Sequence, residues 1–240
     1  MRTATMTIAL VLGLVAGARA QDWVEYQNND DGFKVDFPVQ PTITDTTWVT
    51  EQGYILPSRV YSAQGALGTY SMTVVDYSVI ERLGMERSQK CPIGAETCQG
   101  QPAGGLRIAI GPGYATQDIR DGIVFATFKY LQRDGAKVTE YLWNWQDLVE
   151  GHQLDLTNAD GSRTFVFIAM HENKLYILDE TVPKGMPEPG IFQQSLGWVD
   201  KQGRGIRYQA IYSNEFHGLR VDPVPALAGG GGAPPPPAPR

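Results

Sequence analysis

Three histidines, His152, His171 and His217, are the only imidazoles in the 240-residue chain, so any hydrolytic or metal chemistry has few bases to draw on. A nucleophilic serine is normally exposed on a sharp strand-to-helix turn, but no Gly-x-Ser-x-Gly occurs, and Ser195 sits in Gln-Gln-Ser-Leu-Gly, a helix end. His171-Glu172 opens like a zinc-protease motif. Leu175 stands where the second His belongs, so the pair reads as a hairpin turn. His152 and Asp155 supply two donors of a metal site, or else mark a strand end at the surface. Gly104-Gly105 and Gly111-Pro112-Gly113 lack the lysine and the strand–helix setting of a phosphate cradle. Asp179 and Glu180 are adjacent on a predicted strand and so point to opposite faces, which is wrong for shared acid–base work. No catalytic, cofactor-binding or metal-ligating residue is assigned on these grounds, and no cofactor.

Two other groups of side chains carry physical meaning. Tyr141, Trp143 and Trp145 recur at every second position, so they project from one face of a strand. Such a row either packs beneath a helix, where large rings dominate core burial, or stacks on sugar rings or a peptide. With an amphipathic helix just before it, core packing is the expectation. Cys91 and Cys98 bracket a loop containing Pro92 and Gly94. In an oxidising compartment such a pair reads as a structural disulfide, since the two-residue spacing of a redox motif is absent and no further metal ligands lie near.

The compartment itself is read from the first twenty residues. Arg2, the apolar run Ile8 to Gly17 and the small residues Ala18 and Ala20 form a secretory signal, cut between Ala20 and Gln21. The apolar run is short of the roughly 20 residues a bilayer needs, so no transmembrane segment is expected after its removal; a retained N-terminal anchor is the rival reading. The expected location is outside the cytoplasm, the bacterial periplasm above all. Without Arg2 and Arg19 the chain holds 18 basic and 26 acidic residues, a charge of −8. That sign repels phosphate backbones and excludes nucleic acid as a partner.

The elements that must position these residues form a β-rich pattern. A hairpin joins Trp23–Tyr26 and Phe33–Phe37 through Asn28-Asn29-Asp30-Asp31-Gly32; a calcium loop fails there for want of a closing acid. Strands follow at 43–49, 55–63 and 69–77, then a Gly/Cys-bearing insertion at about 78–113 with a helical turn near Glu81–Gln89. Ile119, Ile123, Ala126 and Tyr130 predict a helix over 118–133 with those residues as its inner stripe. Gly122 and Val124 favour a strand instead. A meander of 138–146, 152–157, 163–170 and 175–182, a helix at 191–196 and a last strand at 206–212 complete the reading. Residues 224–240 are Gly/Pro-rich and read as a disordered tail or a polyproline docking peptide. Residues 21–223 are expected to form a single α+β domain.

Asp31-Gly32-Phe33-Lys34-Val35-Asp36-Phe37-Pro38 resembles the opening strand of the PsbP superfamily, the extrinsic photosystem II subunit and its bacterial periplasmic relatives. Asn173 to Leu178, with Phe192-Gln193-Gln194-Ser195-Leu196, is similar to its last long strand and closing helix. The resemblance implies an antiparallel sheet flanked by helices and an accessory or binding protein with no shared catalytic residues. The expected function is therefore non-enzymatic, through contacts with an unidentified protein partner. The alternative is a small-ligand or glycan-binding protein, or a hydrolase of such ligands, using the aromatic row. Solvent exposure of Trp143 and Trp145 separates the two, since a buried row removes the alternative's support.

Overall fold

The computed structural model describes residues 23–90 and 113–214. The cleavage site Ala20–Gln21, the cysteines Cys91 and Cys98 and the tail 224–240 lie outside the described residues.

Alternating sequence becomes antiparallel sheet. β1 (Val24–Asn28) and β2 (Phe33–Phe37) pair as a hairpin. β3 (Thr42–Val49), β4 (Ile55–Gln64) and β5 (Thr69–Asp76) form one meander. A 3₁₀ turn (Tyr77–Val79) and α1 (Ile80–Gln89) follow, then α2 (Gly113–Leu131). The second meander is β6 (Lys137–Gln146), β7 (Val149–Thr157), β8 (Arg163–His171) and β9 (Lys174–Val182). α3 (Ile191–Gln194) and the two-residue β10 (Gly197–Trp198) complete the set. The large sheet runs β3-β4-β5-β9-β8-β7-β6, and β1-β2-β10 forms a small second sheet. The architecture is α+β and antiparallel, as expected.

Strand alternation sorts the core into two layers, one on each face of the large sheet. On one face Tyr61, Tyr70, Met72, Phe167 and Leu178 meet Phe33, Val35 and Phe37 of β2, with Phe192 of α3 and Trp198. On the other, Leu154, Leu156, Val166, Ile168 and Ile177 pack under α2 through Ile119 and Ala126. Both elements of the predicted helical stripe that are fully buried, Ile119 and Ala126, face the sheet, while Ile123 and Tyr130 are partly buried. Gly122, which favoured a strand on propensity, has a packing reason. A Cβ there would come within 2.8 Å of Met170 and 3.2 Å of the Tyr77 ring, so only Gly lets the helix lie this close. The small sheet is tied to the large one at Asp31. Its carboxylate accepts from Tyr61 and pairs with Arg59 at 2.8 Å, and its carbonyl accepts from the Tyr176 hydroxyl at 2.6 Å.

The strand expected at 206–212 does not form. Only Tyr212 pairs, in a parallel bridge to Val149, donating to the Leu148 carbonyl at 2.8 Å and accepting from the Glu150 amide. From Gly151 onward that side of β7 is occupied by β8, so no free edge remains for a longer ladder. The helix expected at 191–196 is shorter, ending at Gln194, and Gly197 opens β10 instead of only stopping the helix.

Candidate functional site

β6 is the outermost strand of the large sheet, and this position governs its side chains. Across from it in β7, Tyr141 faces Leu154, Trp143 faces His152 and Trp145 faces Glu150. Leu154 belongs to the α2-side core, so the aromatic row lies on the α2 face of the sheet. It is not covered there. Tyr141, Trp143 and Trp145 are 50%, 50% and 45% exposed, which corrects the expectation that the row packs in the core. The physical reason is reach: α2 lies over β7, β8 and β9 and stops short of the edge.

The row is held in shape from below. Trp143 and Trp145 are 5.3 Å apart with rings tilted by 57°, and the Trp143 indole donates to Glu150 at 3.3 Å. His152 fixes the helix to the strand pair: its Nδ1 lies 2.8 Å from Thr127 Oγ1 and 3.3 Å from the Tyr141 hydroxyl. Thr127 already donates its proton to the Ile123 carbonyl at 2.8 Å, so it accepts from His152, and the network places the imidazole proton on Nδ1. Burial holds the His152 pKa below its ordinary value, with Glu150 acting against that effect, so the ring is neutral at pH 7. Through Nδ1 the ring braces α2 against β6 and β7. One turn to either side of Thr127, Val124 and Leu131 are exposed, as is Phe128 beside it. The exposed row on β6 and these three exposed apolar side chains of α2 lie on the same side of the large sheet.

The hairpin that carries the row turns at Asp147 and Leu148, both with positive φ (45° and 63°). Two such residues in succession give the tight turn whose twist matches paired strands. The turn is clamped by Arg207 on Asp147 at 3.2 Å and by Trp198, whose indole donates to the Gln146 carbonyl at 3.3 Å.

The other candidates separate. His152 and Asp155 project from opposite faces of β7, so they share no metal site. Among the described residues no three His, Cys, Asp or Glu side chains converge closely enough to hold an ion. Asp179 and Glu180 also diverge, as expected: Asp179 accepts from Tyr130 of α2, and Glu180 lies on the opposite face. His171 is not in the turn. It is the last residue of β8, buried and stacked on Trp198 at 4.3 Å, with Tyr208 and Tyr212 beside it. Its partners stand well downstream in sequence, where local pattern has no access to them. The turn is made by Glu172 and Asn173, with φ of 46° and 61°. Ser195 is a capping residue, its hydroxyl donating to the Phe192 carbonyl and accepting from the Asp36 amide.

No family model and no curated protein matches the chain. Among solved structures it is similar to the solution structure of cyanobacterial PsbP (CyanoP) from Synechocystis sp. PCC 6803. The identity is 12% and the TM-score 0.33, over 71% of this chain and 86% of that one. The α+β architecture stands independently on the strand order and pairings given above.

Proposed function

We propose that this chain is a secreted, non-enzymatic binding protein that engages a protein partner through the exposed face of β6 and α2. The observation that supports this reading is the exposure of Tyr141, Trp143 and Trp145 beside Val124, Phe128 and Leu131. Rigid aromatic side chains are the residues that most often anchor an interface, because they bury much area at little conformational cost. His152, the one imidazole near them, has its Nδ1 engaged by Thr127 and Tyr141, which braces the face.

The same exposure keeps the glycan-binding alternative in play, because the row that would be its platform is open to solvent.

Site-specific photo-cross-linking in intact cells tests the proposal. A cross-linker at Trp145 or Phe128 should yield one discrete adduct that disappears when Trp143 is changed to Asp. The same group at Glu51, on the β3–β4 turn, should yield none. Adducts of equal yield at all three positions reject the interface. Saturable quenching of tryptophan fluorescence by a soluble oligosaccharide, lost in Trp143→Ala, selects the glycan reading.

A further inference from the structure

The face of the large sheet opposite the aromatic row holds a second, chemically different feature. β6 alternates, so its other side chains, Glu140, Leu142, Asn144 and Gln146, point away from the tryptophans. With Gln153 and Asp155 of β7 below, and Glu188 of the β9–α3 loop with Gln193 and Gln194 of α3 above, they line a solvent-open cleft of about 220 Å³. Three carboxylates line it, those of Glu140, Asp155 and Glu188, and no Lys or Arg does. Glu140 and Asp155 are direct cross-strand partners, a like-charge pairing that costs stability unless something positive lies between them.

The cavity is built, and it is incomplete. Gln193 is 4% exposed with its amide nitrogen unpartnered, and Gln153 is 8% exposed with its carbonyl oxygen unpartnered. Gln153 and Asp155 stand two residues apart on the same face of β7, so both side chains reach the cleft. Behind them in β9, Glu180 is 0% exposed and neither carboxyl oxygen has a partner. Buried polar atoms left without a partner are rare in folded proteins, because each loses its hydration with nothing in return. The Gln153 oxygen, an unpartnered acceptor more than nine-tenths buried beside carboxylates, marks a place where a ligand's donor supplies the missing contact.

We infer that this cavity is a binding site for a small organic cation bearing a primary ammonium group. The ammonium N–H donors would go to the Asp155 carboxylate, the Gln153 carbonyl and Glu188. The unpartnered Gln193 nitrogen is itself a donor, so the ammonium does not satisfy it. A metal ion fits less well, since no three carboxylate or imidazole side chains among the described residues converge on one point. The volume accommodates a chain of a few carbons. The site is separate from the aromatic face, so the two stand or fall independently.

Titration calorimetry with butane-1,4-diamine at pH 7.5 tests the inference on the intact chain. One saturable site is expected, weakened at least tenfold in Asp155→Asn and severalfold in Glu188→Gln. Glu188 is exposed on a loop, so its variant folds as the parent does. Trp143→Ala should bind the diamine unchanged. Affinity should also fall at least tenfold between pH 7.5 and pH 5. Burial raises Asp155 to a pKa of about 6, with Glu188 and Glu140 adding to that and Gln153 and Arg163 opposing it, so acid removes its charge. Glu180 faces the same region from β9 and stays protonated across that range. The absence of saturable heat, equal binding of the neutral butane-1,4-diol, or parental affinity in both carboxylate variants would overturn the inference.

Discussion

Glu180 shows what one buried side chain does to the whole stability curve. Burial first, then Glu188, Asp179 and Asp155, push its pKa from 4.5 to about 9. Because the folded value lies above the unfolded one, the folded chain binds the proton more tightly. Its contribution is therefore favourable below pH 4.5 and is lost as pH rises toward 9. At pH 7.5 the loss is on the order of 4 kcal/mol, taking 1.36 kcal/mol for each pH unit above 4.5. Asp155 acts in the same direction over the window from 3.8 to about 6. The expected outcome is a ligand-free protein that melts higher at pH 5 than at pH 8, the reverse of a protein held by ionised carboxylates. Glu180→Gln, which copies the neutral acid, should flatten most of that slope; urea unfolding at the two pH values measures it. The sequence carried a faint trace of this site. Leu178, Glu180 and Val182 share one face of a strand whose apolar members are buried, and a carboxylate in that company is out of place. Its neighbours Asp155 and Glu188 were invisible as neighbours, because they meet only after three strands and a loop have folded over one another.

Helix α2 separates what periodicity can reveal from what it cannot. Ile119 and Ala126 were legible as an inner stripe, and they are buried. Val124, Phe128 and Leu131 on the outer side are also apolar, and a local pattern does not tell which apolar face finds a partner within the chain. The contrast is testable. Ala126→Asp places a charge at a fully buried position and should cost at least 3 kcal/mol. Val124→Asp, two residues away and exposed, should change stability by less than about 0.5 kcal/mol. Thermal melts of the two variants check both values, and equal losses would mean that the helix is rotated. The aromatic row misled for a related reason. Alternation established correctly that Tyr141, Trp143 and Trp145 share a face, and a helix does lie on that face. What decided their exposure is the position of β6 at the sheet edge, which is a property of strand order.

Strand order also has a consequence for how the molecule assembles. β3–β5 and β6–β9 are two meanders in which every strand pairs with its neighbour in sequence. Within the large sheet the single exception is β5 against β9, where Thr69 meets Thr181 and Asp76 meets Lys174 across 111 and 97 intervening positions. Hairpins close in microseconds, but joining distant segments must first overcome a large loop-closure entropy. The seam is therefore the slow step. Refolding should proceed on the millisecond-to-second scale of sheets with non-local pairing, with Leu142-side hairpin contacts of β6–β7 protected from hydrogen exchange before those of β5. A substitution that weakens the seam, such as Val74→Ala, whose residue pairs with Tyr176, should slow folding more than it speeds unfolding; stopped-flow chevrons distinguish the two limbs. Until β9 is in place, β5 has an unpaired edge and the apolar faces of both meanders stand open. The first meander of a chain still being made thus lacks its closing partner until nearly the entire sheet-forming sequence exists, and in that interval its protection from aggregation must come from outside the chain.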